Sequence, residues 1–180
     1  MAEEARQLVI LGVGNRLRGD DAVGCLVCDE LSAGHDPIPP GESGSCPKPS
    51  ESPFAIRHSP LAPDVFVLDC GNTPENYIQP VVDRSPERIL VVDCCDYGAK
   101  PGEFRLFSRP EIEQLSYGLL STHTLPLTLT IEMLSIATKA RIELLGIQPE
   151  RIEFGTDLSP AAQSALPALV ERVRAWVRES

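Results

Sequence analysis

Two patterns of apolar residues repeat along the chain. Short, near-continuous apolar runs rich in β-branched residues are typical of strands buried on both faces of a parallel sheet. These runs cover residues 9–13, 64–69, 88–93 and 141–147. Apolar residues at three- and four-residue spacing predict amphipathic helices. These helices cover residues 22–31, 127–139 and 160–178.

Two further details complete this outline. Residues 102–108 alternate between apolar and polar and predict an edge strand, and Ser159 is a suitable N-cap for the last helix. Strands that alternate with helices predict a doubly wound α/β fold with a mostly parallel sheet and helices on both faces. The 180 residues are enough for one domain, so we expect residues 1–180 to form a single unit.

The pattern is interrupted after the first helix. Residues 33–62 are dominated by proline, glycine and serine, as in "AGHDPIPPGESGSCPKPSESP", and predict a mobile surface insertion within the domain. His35, Cys46 and His58 could bind a metal there, but nothing in their spacing fixes a geometry. A solvated loop is the favoured interpretation.

Composition narrows the classes of function. Hydrophobic residues make up 42% of the chain and charged residues 23%, and no apolar run reaches the roughly 18 residues that span a bilayer. The polar, acidic start does not resemble a secretory signal, so a cytoplasmic protein is expected. The net charge of -10 argues against binding to nucleic acid or to anionic membranes. Proteins or cations are the expected partners.

Cysteine usage points to packing. The chain has six cysteines, and Cys25 and Cys28 form a C-x-x-C within the first predicted helix. No second pair lies at zinc-ribbon distance, and both positions fit the apolar pattern of the helix. Core packing is therefore favoured over metal binding or redox chemistry.

The first strand runs into a glycine loop, "VILGVGNRLRGDDAVG". A dinucleotide fingerprint would need its third glycine where Leu17 stands, and a P-loop would need lysine where Asp20 follows Gly19. Two carboxylates would repel phosphate, so the loop suits a cation instead. We assign Asp20 to the cap of the first helix and Asp21 to chemistry.

Other candidate residues follow strands or precede helices. Asp69 and Asp93 end two strands, and His123 lies just before a helix. Ligands bind outside the carboxyl ends of parallel strands, where these residues could converge with Asp21. Asp21, Asp93 and His123 would form a three-ligand site for nickel or zinc. The alternative is a strand-end carboxylate bonded to loop amides and a structural histidine.

Five segments, in this order, carry a resemblance to a known family: "GVGNRLRGDDAVG", "LDCGNTPEN", "ILVVDCCDYGAKPGE", "STHTLPL" and "LLGIQP". Together they resemble the [NiFe]-hydrogenase maturation endopeptidases, close to the branch that processes the formate-hydrogenlyase type of hydrogenase. The resemblance implies a doubly wound α/β fold and metal-contacting residues at Asp21, Asp93 and His123. Two departures are Asp69-Cys70-Gly71, where the family has Asp-Gly-Gly, and the insertion before it.

The resemblance also implies an activity. The family removes a short C-terminal peptide from the nickel-loaded large-subunit precursor, so that precursor is the expected partner and the source of nickel, with no nucleotide cofactor. Hydrolysis could be of the aspartic type, with Asp21 and Asp93 sharing a proton, or metal-assisted. A non-catalytic nickel-binding chaperone or sensor using the same residues is the alternative function, and a nucleotide-binding module is third.

Overall fold

A computed structural model describes residues 7–33, 56–58, 61–115 and 126–179. Within these ranges the strands are β1 (Leu8–Val13), β2 (Ile56–His58), β3 (Val65–Gly71), β4 (Arg88–Cys94), β5 (Phe104–Ser108) and β6 (Arg141–Ile147). The α-helices are α1 (Val23–Ser32), α2 (Ile78–Val82), α3 (Arg109–Leu115), α4 (Leu127–Ala137) and α5 (Pro160–Arg178). Short 3-10 helices cover Gly19–Ala22 and Pro74–Tyr77.

The strands form one sheet in the order β2-β3-β1-β4-β6-β5. The four central strands are parallel, and β2 and β5 pair antiparallel at the two edges. The chain proceeds from β1 to β3 on one side and then to β4 on the other. The order therefore reverses between β1 and β4, and such switch points are where open α/β sheets bind ligands.

Both faces of the sheet are covered, which explains the continuous apolar runs. Leu8 and Ile10 of β1 pack toward α1 and α5, whereas Val9 and Leu11 pack toward α2, α3 and α4. This arrangement confirms the doubly wound α/β fold, and β5 confirms the predicted edge strand. None of the described helices is long and apolar enough to cross a membrane.

Helix α1 lies very close to the centre of the sheet. A Cβ atom on Gly24 would lie 2.1 Å from the carbonyl oxygen of Val13 and 2.4 Å from that of Val92. Cys25 and Cys28 on the same helix are buried, and burial raises the pKa of both thiols. The prediction that these cysteines pack in the core is confirmed.

A buried ionic cluster lies near the amino ends of β4 and β6. Glu143 accepts hydrogen bonds from Arg88 Nη2 at 3.1 Å and from the Trp176 indole at 2.8 Å, and the Arg88 guanidinium lies 4.1 Å from the Trp176 ring centre. Burial opposes ionisation of Glu143, but these donors hold the pKa of its carboxyl below the usual value. The cluster joins β4 and β6 to α5. It lies at the end of the strands opposite to Asp93.

Most of residues 33–62, the predicted insertion, lies outside the described residues. Ile56–His58 nevertheless pair with β3 as an antiparallel strand. The sequence did not predict this strand, because three residues are too few to show a period. The mobility of the remaining segment stays a prediction.

Candidate functional site

The loop after β1 folds back on itself through Gly14. This glycine has a φ of 143°, and a Cβ atom there would lie 1.8 Å from the carbonyl oxygen of Asp21. That oxygen accepts a hydrogen bond from Asn15 N at 3.1 Å. Only glycine fits this close approach, so Gly14 serves to place the Asp21 peptide.

Asp20 connects the loop to a distant part of the chain. Its buried carboxylate accepts hydrogen bonds from Glu150 N at 2.8 Å, Arg151 N at 3.2 Å, Ser159 N at 2.7 Å and Ser159 Oγ at 2.8 Å. The Ser159 hydroxyl in turn accepts from Ala162 N at 3.1 Å, which confirms Ser159 as the N-cap of α5.

The prediction that Asp20 caps the first helix is wrong. Ala22 occupies the N-cap of α1, and no side chain caps that helix. The 3-10 helix runs directly into α1, and Asp20 lies within it with its carboxylate bonded to residues 150–159. Such partners, far away in sequence, leave no local signal that sequence reasoning could have used.

Asp21 and Asp93 are neighbours at the switch point between β1 and β4. Both are buried. Burial raises the pKa of Asp93 well above its usual value, and the nearby charge of Asp21 raises it further, although a hydrogen bond from Cys94 N at 2.8 Å favours the ionised form. Two predicted site residues thus form a coupled pair in which Asp93 tends to hold a proton.

A cavity of about 190 Å³ opens beside this pair. Its wall is formed by Asp21, Cys94, Asp96, Gln148 and residues 149–152. Gln148 Oε1 accepts from Tyr97 N at 3.0 Å and Ala99 N at 3.1 Å, while Nε2 donates to Asp96 at 2.9 Å and so lowers the pKa of that carboxyl. Sequence reasoning missed Gln148 and Asp96, although both lie in quoted motifs directly after buried strands.

Asp69 lies apart from this pair. It accepts a hydrogen bond from Arg16 Nη2 at 2.5 Å, and Arg16 also binds Asp29 at 2.6 Å. Burial opposes ionisation of Asp69, but the Arg16 hydrogen bond keeps the pKa of this carboxyl below its usual value. The expected convergence of Asp69 with Asp93 is therefore wrong, because Arg16 holds Asp69 at a separate cavity of about 370 Å³.

His123 lies outside the described residues, between α3 and α4. In the part of the chain that is described, no group of three His, Cys, Asp or Glu side chains could hold a metal. Asp21 and Asp93 alone would supply two oxygen ligands, and a cation would relieve the repulsion between their charges. The chemistry of the pair therefore fits a divalent ion, with the third ligand still a prediction.

Comparison with known proteins gives a consistent result. Residues 56–176 match a family model described as HycI, hydrogenase maturation protease. A putative hydrogenase maturation protease of Methanocaldococcus jannaschii is 32% identical over 84% of this chain and 78% of the relative. The hydrogenase 3 maturation protease of Escherichia coli K12 is 28% identical over 93% of this chain and 89% of the relative. The crystal structure of a [NiFe] hydrogenase maturation protease HycI from Thermococcus kodakarensis superposes with a TM-score of 0.71 at 26% identity, covering 96% and 93% of the two chains.

Proposed function

Because the chain belongs to the hydrogenase maturation protease family, we propose that it removes a C-terminal peptide from the nickel-loaded large-subunit precursor of a [NiFe]-hydrogenase. Membership makes the chain a hydrolase and an endopeptidase. The observation that carries the proposal is the coupled pair of Asp21 and Asp93, buried at the switch point beside an open cavity. A peptide bond that enters this cavity would meet the Asp21 carboxyl in the wall, next to Asp93, whose pKa is raised by burial and by the charge of Asp21.

The proposed chemistry uses the proton that the raised pKa of Asp93 favours on this carboxyl. Asp93 donates its proton to the oxygen of the scissile carbonyl, while Asp21 accepts a proton from the attacking water. The water oxygen bonds to the carbonyl carbon. The C–N bond then breaks as Asp21 passes its proton to the amide nitrogen, and Asp93 regains a proton from a hydroxyl of the tetrahedral intermediate, which becomes the new carboxyl group. The raised pKa of Asp93 supports this aspartic-type step. In the metal-assisted alternative the same carboxylates would hold a cation, which would supply Lewis-acid polarisation of the carbonyl.

Nickel enters the proposal as part of the substrate. Asp21, Asp93 and His123 would leave positions open on a divalent ion that precursor thiolates already bind, so the ion could be shared between the two proteins. Soft thiolates hold nickel more strongly than a partly open site of oxygen and nitrogen ligands. The free protease is therefore expected to purify largely without metal.

The central test is incubation with nickel-loaded precursor followed by mass measurement of the products. Asp21→Asn, Asp93→Asn and His123→Ala should each lower processing at least about 100-fold while circular dichroism stays unchanged, since general acid–base groups contribute roughly this much. Asp29→Asn, the same carboxylate-to-amide change at a partner of Arg16 outside the cavity wall, is the matched control and should process normally. Full activity of Asp21→Asn would overturn the proposal, and binding without peptide release would favour a nickel chaperone or sensor.

The role of nickel needs its own experiment. Metal-stripped protease is mixed with nickel-loaded precursor in one reaction and with nickel-free precursor in another. Both reactions contain a chelator that is too weak to extract nickel from thiolates. We expect cleavage of the loaded precursor only. Equal cleavage of both would contradict recognition through nickel, whereas activity that returns only when metal is added to the protease would establish the metal-assisted alternative.

A further inference from the structure

Two large apolar side chains are exposed on the loops that flank the coupled pair. Leu17 is 60% exposed and Phe154 is 74% exposed. Single exposed apolar residues are common on protein surfaces and need no explanation. Here the two belong to neighbouring loops next to a proposed site of chemistry, and we name Leu17 and Phe154 together the apolar rim.

Backbone hydrogen bonds join the two loops of the rim. Gly155 N donates to Leu17 O at 2.7 Å, and Gly19 N donates to Thr156 O at 3.1 Å. Asp20 adds its own backbone bond to Arg151 O at 3.0 Å, besides the bonds of its carboxylate. Leu17 and Phe154 are therefore carried on one connected surface whose geometry is fixed before any partner arrives, which lowers the entropic cost of binding.

The rim lies on the same two loops that contribute to the wall of the cavity beside Asp21. Arg151 and Ile152 form part of the cavity wall, and Phe154 follows two residues later on the same loop. Leu17 precedes Asp21 by four residues in the other loop. An extended chain advances about 3.3 Å per residue, so a substrate segment inside the cavity reaches the rim within a few residues of the reacting bond.

We propose that the apolar rim binds apolar side chains of the extended precursor segment next to the bond that is cut. This inference rests on the proposed function and adds a specificity determinant to it. Apolar contact suits a chain with a net charge of -10, because the rim selects a segment by shape and hydrophobicity rather than by charge. Partial burial of each side chain against the precursor should tighten binding about tenfold.

A second exposed apolar surface provides matched controls. Leu129, Met133 and Ile136 follow one another along α4 at helical spacing, and Ile136 is 81% exposed. No hydrogen bond described for α4 joins it to the loops that carry Asp20 and Asp21. A polar change at Ile136 therefore removes as much exposed apolar surface as a change at the rim without touching the rim.

The experiment compares Leu17→Ser, Phe154→Ser and the double variant with Ile136→Ser, each processing nickel-loaded precursor. We expect KM to rise about tenfold for each rim variant, with kcat changed less than about twofold, and both constants to stay near wild type for Ile136→Ser. If KM is unchanged in both rim variants, the inference is overturned. The proposed function still holds in that case, provided that the wild type releases the peptide. If the wild type does not release peptide, the proposed function itself falls.

A double-mutant cycle then locates the contact. Product masses identify the cut bond, and apolar precursor residues on either side are changed to serine. Where the changed precursor residue contacts the rim, the change should raise KM for the wild type. It should raise KM little further for Phe154→Ser, because that variant has already lost the contact. Fully additive effects overturn the inference. The inference is also overturned if sedimentation analysis shows that the wild type is a dimer and Phe154→Ser is a monomer, since the rim would then bind a second copy of the chain.

Discussion

Asp20 and Asp21 are adjacent in the chain but differ in what surrounds their carboxylates. Asp20 is surrounded by four donors from residues 150–159, whereas Asp21 faces a second carboxyl, that of Asp93. The Asp20 carboxylate satisfies four donors, whereas the charge of Asp21 raises the pKa of the Asp93 carboxyl. The contacts of Asp20 stabilise the fold. The buried pair of Asp21 and Asp93 lowers stability and supplies the groups for the proposed hydrolysis.

The opposition between Asp21 and Asp93 predicts a stability that depends on pH. Above about pH 4 the unfolded chain releases the Asp93 proton, while the folded state retains it because burial and Asp21 raise the pKa. The folded state then binds more protons, so this group makes stability fall as pH rises toward its raised pKa. The free energy of unfolding of Asp93→Asn should exceed that of wild type by a margin that grows as pH rises above about 4. Urea unfolding with chelator present measures this margin.

Asp69 provides the control of opposite sign. Arg16 lowers the pKa of this carboxyl, so its contribution to stability is present at neutral pH and is lost as pH falls below the unfolded value of about 4. Asp69→Asn should therefore be less stable than wild type at neutral pH, and the difference should shrink in acid. Equal responses of the Asp69 and Asp93 variants would contradict both assignments.

The contacts of Asp20 predict a large loss of stability on truncation. Asp20→Ala leaves three backbone amides and one hydroxyl without their acceptor in a buried setting. We expect a loss of about 3 kcal/mol in the free energy of unfolding, measured by urea denaturation. Asp157→Asn, an exposed change nearby, should cost less than about 0.5 kcal/mol. A loss below about 1 kcal/mol for Asp20→Ala would mean that water replaces the carboxylate.

At the scale of elements, the close approach of α1 to the sheet depends on Gly24. Gly24→Ala would place a methyl group against the carbonyl oxygens of Val13 and Val92 and would push the helix outward. Overpacking of this kind costs about 2 kcal/mol, or about 6 °C in Tm for a chain of this size. Glu30→Ala on the exposed side of the same helix is the control and should leave Tm nearly unchanged. Unchanged Tm in Gly24→Ala would show that α1 can shift freely.

The elements also show where sequence patterns succeed. The strands β1, β3, β4 and β6 could be predicted because both faces of the sheet are covered, which makes each of them almost wholly apolar. Short elements such as β2 and α2 could not, because they are held by pairing and packing rather than by an internal period. Asp21 and Asp93 could be predicted as neighbours because the ends of adjacent parallel strands meet, whereas the Arg16 contact that separates Asp69 depends on side-chain reach.

For the whole molecule, the composition of residues 33–62 predicts tolerance to shortening. Deletion of residues 37–52 should change the free energy of unfolding by less than about 1 kcal/mol, because the entropy of closing a loop varies slowly with its length. Urea denaturation measures the change. Extending the deletion through Ile56–His58 is the comparison, since it removes β2, exposes the edge of β3 and should promote association. A large loss from the shorter deletion would mean that the segment packs on the domain.

The bonds of Asp20 span 130 to 139 residues of the chain. Synthesis on the ribosome proceeds from the amino end, and early segments wait for late ones before long-range contacts can form. The loop of Asp21 is thus made before residues 150–159 and acquires its anchor only after those residues have emerged and docked. Catalytic competence is thereby tied to completion of the fold, and a nascent or prematurely released chain would carry the aspartates without an organised site.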